Sequence, residues 1–165
     1  MTEFSHENRM LPEQISILKE FTDEVPVRVG SLAKALGLKV IVAALPLKIS
    51  GMIKPDEDGD SFVIKVNRFE PKSRQRFTIA HEIAHYLLHQ DRINAGVVDS
   101  VLYRSKLSSR VEAEANRLAA DIVMPRRKIR ELTGLETSKV SDQMLEQLAE
   151  QFQVSKQAMS IRMGE

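Results

Sequence analysis

Residues 76–88 read Arg76-Phe77-Thr78-Ile79-Ala80-His81-Glu82-Ile83-Ala84-His85-Tyr86-Leu87-Leu88. Neither Gly nor Pro interrupts the run, so a helix is the expected state. Residues four apart on a helix stack on one face, which presents His81 and His85 as two imidazoles able to grip one divalent cation. Glu82 is turned by about 100° from His81 and is left to act on water rather than on the metal. The plainer account is a surface helix with two incidental histidines. That account fits poorly with the apolar company of Phe77, Ile79, Ala80, Ile83, Ala84, Leu87 and Leu88. Imidazoles and carboxylates in such a helix are costly to bury without partners.

Zinc bound by two histidines needs a third protein ligand and one open position. His89, Glu112 and Glu114 are the candidates. His89 lies one turn beyond His85, too far along a straight helix to meet the same ion without distortion, and is read as a residue that supports a ligand from behind or simply packs. A second helix is expected from about residue 110 to 124, stopped by Pro125. On it Glu112 shares a face with Ala115, Asn116, Ala119, Ile122 and Val123, an inward stripe on which a carboxylate demands a partner. Glu114 falls on the other side with Arg117 and Asp121, where solvated charge pairs are expected. Glu112 is therefore read as the third ligand. Asn116, one turn on, is placed to accept a hydrogen bond from the far nitrogen of a liganding histidine. Ala115 and Ala119 leave room for the two helices to approach closely.

Composition sets the outer bounds. A chain of 165 residues, 42% hydrophobic and 28% charged, is ordinary for one compact domain with a small appendage. The net charge of +1 provides no general field for a polyanion. Cysteine is absent, which excludes disulfides, thiolate metal sites and a cysteine nucleophile. A transition-metal site must then use imidazole and carboxylate. The first residues contain no apolar run of the kind a signal peptide needs, and no stretch is long enough to cross a bilayer. The expected home is the cytoplasm, with no membrane partner.

Before the motif, the pattern predicts helices over 11–24 and 29–36, with Gly37 as a C-terminal cap. A buried strand over 39–45 and two more near 50–54 and 61–66 follow, around a hairpin tip at 55–60. The aspartates of that tip invite a calcium loop. A loop starting at Asp56 would place Ser61 and Asn67 where Gly and Glu are required, so the pattern fails. The class is α+β: a small sheet packed on helices, among them the His81–His85 helix and the Glu112 helix. Residues 1–125 are expected to form the catalytic domain and residues 126–165 a small helical module.

That module has helix-turn-helix rhythm. Ser141 can cap one helix with Leu145, Leu148, Ala149 and Phe152 inward, and Ser155 a second with Ala158, Met159 and Ile161. Lys156, Gln157, Ser160 and Arg162 are the candidate contacts to nucleic acid or to a partner protein. Seven Lys or Arg against six Asp or Glu from residue 126 onward make a poor footprint for a duplex, so packing on the rest of the chain or gripping a protein is the favoured role. The basic cluster Arg126-Arg127-Lys128 with Arg130 suits a solvated helix start or an acidic partner.

The two strings Arg76–His89 and Glu112–Pro125 together closely resemble the ImmA/IrrE family of zinc metallopeptidases, over residues 25–163. Leu118 and Ile122-Val123 depart from the residues frequent there, away from the chemistry. The resemblance implies a gluzincin-like core with His81, His85 and Glu112 on Zn²⁺, although manganese or another divalent metal would also suit these ligands. It implies Glu82 as general acid–base. It further implies a protein substrate of the helix-turn-helix, Xre-like repressor or antitoxin-like kind, cut to relieve repression in stress responses or mobile-element control. A DNA- or partner-binding regulator that keeps the core as scaffold is the alternative. Tyr86 and Tyr103 are considered as donors to the oxyanion, with ordinary packing the plainer account of each.

Overall fold

The computed structural model describes residues 2–94, 109–134 and 140–164. Two helices, α1 (Pro12–Phe21) and α2 (Val29–Ala35), precede the sheet. Pro12 opens α1 at a position where its missing N–H costs nothing. Gly37 ends α2 with a φ of 85°, a conformation only glycine adopts without strain.

Three strands follow, β1 (Lys39–Ala43), β2 (Gly51–Pro55) and β3 (Phe62–Asn67), in the order β1-β3-β2. β3 pairs parallel with β1, from Lys39 opposite Val63 to Ala43 opposite Asn67. It pairs antiparallel with β2, from Gly51 opposite Val66 to Pro55 opposite Phe62. β1, expected to be buried, is instead an edge strand, with Ile41 45% and Val42 57% exposed. Its apolar run signalled β-propensity, but the long helix that covers β2 and β3 does not extend over β1, which meets the shorter α2 instead. In the acidic tip between β2 and β3, Asp56 and Asp58 pair with Lys39 of β1.

That covering helix is α3 (Lys72–Leu88), which lies on β2 and β3 with one side and on α5 (Ser109–Val123) with another. Between them comes the short α4 (Gln90–Asn94). β2 approaches α3 so closely that a Cβ on Gly51 would stand 2.5 Å from Thr78 Cγ2 and 2.7 Å from the backbone oxygen of Lys65. On the opposite side, Ala80 and Ala84 of α3 and Ala115 and Ala119 of α5 are completely buried. Small residues at those positions allow the two helix axes to run close.

Pro125 caps α6 (Arg126–Thr133) and prevents α5 from continuing. The basic start of α6 is satisfied within the molecule. Arg127 bonds Asp23 at 3.1 Å and Glu131 at 3.0 Å, and Lys128 bonds Glu131 at 3.0 Å. Last come α7 (Asp142–Phe152) and α8 (Lys156–Gly164). Ser141 Oγ accepts from the Met144 N–H at 3.1 Å, and Ser155 Oγ accepts from the Ala158 N–H at 3.0 Å, so both anticipated caps form. Leu148, Phe152, Val154, Met159 and Met163 join the same apolar cluster as Ile64, Ile83 and Leu118. Arg76 of α3 reinforces this, donating to the backbone oxygens of Phe152 and Gln153. Among the described residues, no helix is long and apolar enough to cross a membrane.

Candidate metal centre

Where α3 and α5 cross, the side chains of His81, His85 and Glu112 meet. His81 and His85 are each 1% exposed and Glu112 8%. The two Nε2 atoms stand 3.1 Å apart. Glu112 Oε2 lies 3.2 Å from His81 Nε2, and Oε1 lies 3.5 Å from His85 Nε2. One candidate ligand atom from each residue therefore fits within a 4.8 Å group. Zinc takes imidazole nitrogen at about 2.0–2.1 Å in a tetrahedral shell, and such a tetrahedron has edges of about 3.3 Å. The 3.1 Å between the two imidazole nitrogens is close to that edge, and each nitrogen has a Glu112 oxygen at 3.2–3.5 Å, so the donor set suits a divalent ion in chemistry and in approximate spacing.

Protonation agrees with this. Burial pushes the His85 imidazole down to about 4, an effect that Glu112 partly offsets and His81 and His89 reinforce. The ring is thus neutral at physiological pH, the form that ligates metal. His81 Nδ1 lies 2.8 Å from Asn116 Oδ1. With Nδ1 donating to that oxygen, Nε2 keeps its lone pair for the centre. Asn116 therefore stands within hydrogen-bond distance of His81, on the face of α5 where the sequence turned it. Glu82, 1% exposed, sits beside His81 on α3.

Other residues are placed differently from expectation. Glu114 is not a solvated charge. Its carboxylate bonds His89 Nε2 at 2.8 Å and Arg9 at 3.0 Å, and its side chain is 13% exposed. The hydrogen bond from His89 holds the Glu114 carboxyl at about 2 against the opposing effect of burial, with Arg9 assisting. Asp121, assigned to the same solvated face, is 7% exposed. It accepts from Arg162 Nη2 at 2.8 Å and from Ser5 N and Oγ at 2.7 Å. The helical wheel places Glu114 and Asp121 correctly on α5. It could not show that the N-terminal segment and α8 cover that side.

Arg162, expected to face a groove, is corrected for the same reason. It is 3% exposed, and its Nε also donates to the Met124 backbone oxygen at 3.0 Å. Gln157 and Ser160 are exposed, and Lys156 reaches Asp142 at 2.7 Å and Glu146 at 3.3 Å. Gln157 shares a cleft between α3, α5 and α8 with Phe77, Ala113, Asn116, Arg117 and Ile161. Tyr86 packs edge-on against Phe62, with ring centroids 5.6 Å apart, as a packing aromatic would. Tyr103 lies outside the described residues. Arg9 and Ser5 were missed altogether. Neither stands in a periodic pattern, and each reaches a partner more than a hundred residues away.

Fold and site together define an α+β protein with a buried His-His-Glu group capable of holding a metal. The chain belongs to the M78 peptidase family: the sequence profile of its IrrE N-terminal-like domain matches residues 33–163. It is 30% identical over 82 residues to Metallopeptidase ImmA of Bacillus subtilis (strain 168), an alignment covering 50% of this chain and 46% of that protein. A solved structure described as a Mycobacterium tuberculosis transcriptional regulator superposes with a TM-score of 0.59 at 16% identity. That superposition covers 94% of this chain and 48% of the other, and is a likeness of fold. The matches span about half the length of both relatives.

Proposed function

We propose that this chain is a zinc-dependent endopeptidase that cuts a helix-turn-helix repressor or an antitoxin-like partner, relieving repression in a stress response or in mobile-element control. The observation that carries the reading is the convergence of His81, His85 and Glu112, with Glu82 the next residue along α3. In this reading residues 1–125 are a gluzincin-like catalytic domain and residues 126–165 a helix-turn-helix-like module. The cleft that brings Gln157 and Ile161 beside Asn116 supports protein, rather than DNA, as what the module meets. Burial of Arg162 and the pairing of Lys156 with two acids further weaken a duplex-binding role.

His81, His85 and Glu112 are the groups that hold the ion. Zinc, when bound, supplies a Lewis acid that polarises the scissile carbonyl and brings the pKa of water from near 16 to about 7. The Glu82 carboxylate takes a proton from the attacking water as the water oxygen bonds to the carbonyl carbon. It returns that proton to the amide nitrogen as the C–N bond breaks, leaving a carboxylic acid and an amine, between which the remaining acidic proton then passes to give carboxylate and ammonium. Asn116 holds the His81 ring by its Nδ1, so that Nε2 stays turned inward.

The test is incubation of the purified protein with candidate helix-turn-helix repressors from the same genome, with zinc and with chelator. Fragments are expected with zinc, and none after chelation. Glu82→Gln should keep its zinc and lose cleavage. Full proteolysis by Glu82→Gln would refute the assigned roles. An uncut repressor, together with DNA retained in a gel shift through a salt titration, would favour the scaffold reading instead.

A further inference from the structure

α3 ends at Leu88, and His89 follows with its ring folded back over the helix end and only 5% exposed. Its Nδ1 stands 3.0 Å from His85 Nδ1, and its Nε2 stands 2.8 Å from Glu114 Oε1. The other oxygen of Glu114 lies 3.0 Å from Arg9 Nη1, and Arg9 Nη2 donates to the Leu88 backbone oxygen at 3.0 Å. These contacts form one chain, from Arg9 through Glu114 and His89 to His85.

The chain has a direction, set by which atoms can donate. An ionised carboxylate only accepts, so the proton between Glu114 and His89 belongs to His89 Nε2. A neutral imidazole with its proton there offers a lone pair at Nδ1. The 3.0 Å approach of the two Nδ1 atoms is then a hydrogen bond only if His85 Nδ1 is the donor. The lone pair of His85 is thereby left at Nε2, the atom 3.1 Å from His81 Nε2 and 3.5 Å from Glu112 Oε1. α5 thus orients both histidines: His81 directly through the Asn116 amide, and His85 through the Glu114 carboxylate with an imidazole in between.

We propose that His89 and Glu114 are positioning residues, a relay that fixes the tautomer and ring orientation of His85 for metal, anchored by Arg9. The relay rests on the metal-centre part of the reading above and is independent of the substrate. Arg9 lies outside the matched residues 33–163, so the N-terminal segment takes part in building the centre.

Zinc affinity, measured by competition with a chromophoric chelator, tests it, with thermal unfolding of the metal-free protein alongside. His89→Leu removes the acceptor while filling the space, and should weaken zinc binding by about 10–100-fold. His89→Asn puts an oxygen where Nδ1 stood and should recover most of the loss. Glu114→Ala should weaken binding, and Glu114→Gln, which still accepts from His89, should restore it. ¹⁵N NMR of the imidazoles in the metal-free wild type should find the His85 proton on Nδ1.

Wild-type affinity in His89→Leu, equal losses in His89→Leu and His89→Asn, or a His85 proton on Nε2 would each overturn the relay. If His89→Leu fails to fold, the Glu114 pair and the NMR measurement decide: unchanged affinity in Glu114→Ala also overturns it. A wild type that binds no zinc would instead remove the centre itself, and so separates that failure from failure of the relay.

Discussion

α5 carries a buried carboxylate near each end, and the two have opposite surroundings. At the C-terminal end Asp121 accepts from a guanidinium, an amide N–H and a hydroxyl, supplied by Arg162 and Ser5. At the N-terminal end the Glu112 oxygens face two imidazole nitrogens that also face each other, at 3.1–3.5 Å. A carboxylate whose acceptors meet a positive donor is a structural tie, here joining the N-terminal segment and α8 to α5. Acceptors gathered at tetrahedral spacing form a site for a cation. Burial alone does not separate the two, since Glu112 and Asp121 are 8% and 7% exposed. The identity of the facing atoms does.

Substitutions can break this contrast, the most severe at the metal end. Glu112→Ala should abolish stoichiometric zinc, with an affinity loss beyond the roughly 100-fold ceiling of an outer-shell change. Elemental analysis reads this directly, and the metal-free fold should survive. Asp121→Ala should do the reverse. It strands the Arg162 guanidinium in the interior and should cost about 3–5 kcal/mol in denaturant unfolding, while the folded fraction keeps its zinc. Loss of zinc from folded Asp121→Ala would show that the two ends are coupled.

Gly51→Ala sharpens the comparison from the sheet side. Its Cβ would push Thr78 and the Lys65 carbonyl, with about 1–3 kcal/mol expected in chemical denaturation. Because it shifts α3, it should also weaken zinc binding, an effect that Asp121→Ala should lack. Ser141→Ala touches neither end. Loss of the cap on α7 should lower stability by about 1 kcal/mol and leave zinc affinity unchanged.

Much of this was legible in the sequence because it is local. The spacing of His81 and His85 requires only helical periodicity, and that periodicity also turned Glu112 and Asn116 inward on the second helix. Pro125 and the capping serines marked ends that the structure keeps within a residue or two. β1 was misjudged because its Val40-Ile41-Val42 run reports strand propensity, whereas burial depends on which strands a helix covers. Glu114, Asp121 and Arg162 were misjudged for a related reason. A helical wheel orders the faces of α5 and α8 correctly and says nothing of what lies over them.

By itself, the sequence determined the chemical inventory: two imidazoles and a carboxylate with their angular placement on two helices, and the exclusion of thiolate chemistry. Tertiary structure alone decided which charges are buried and by what. Ser5 meets Asp121 across 116 residues, and Arg162 meets it across 41. Such pairings depend on how separate elements dock. The energies that favour them are differences between desolvation and pairing, which no short window of sequence contains.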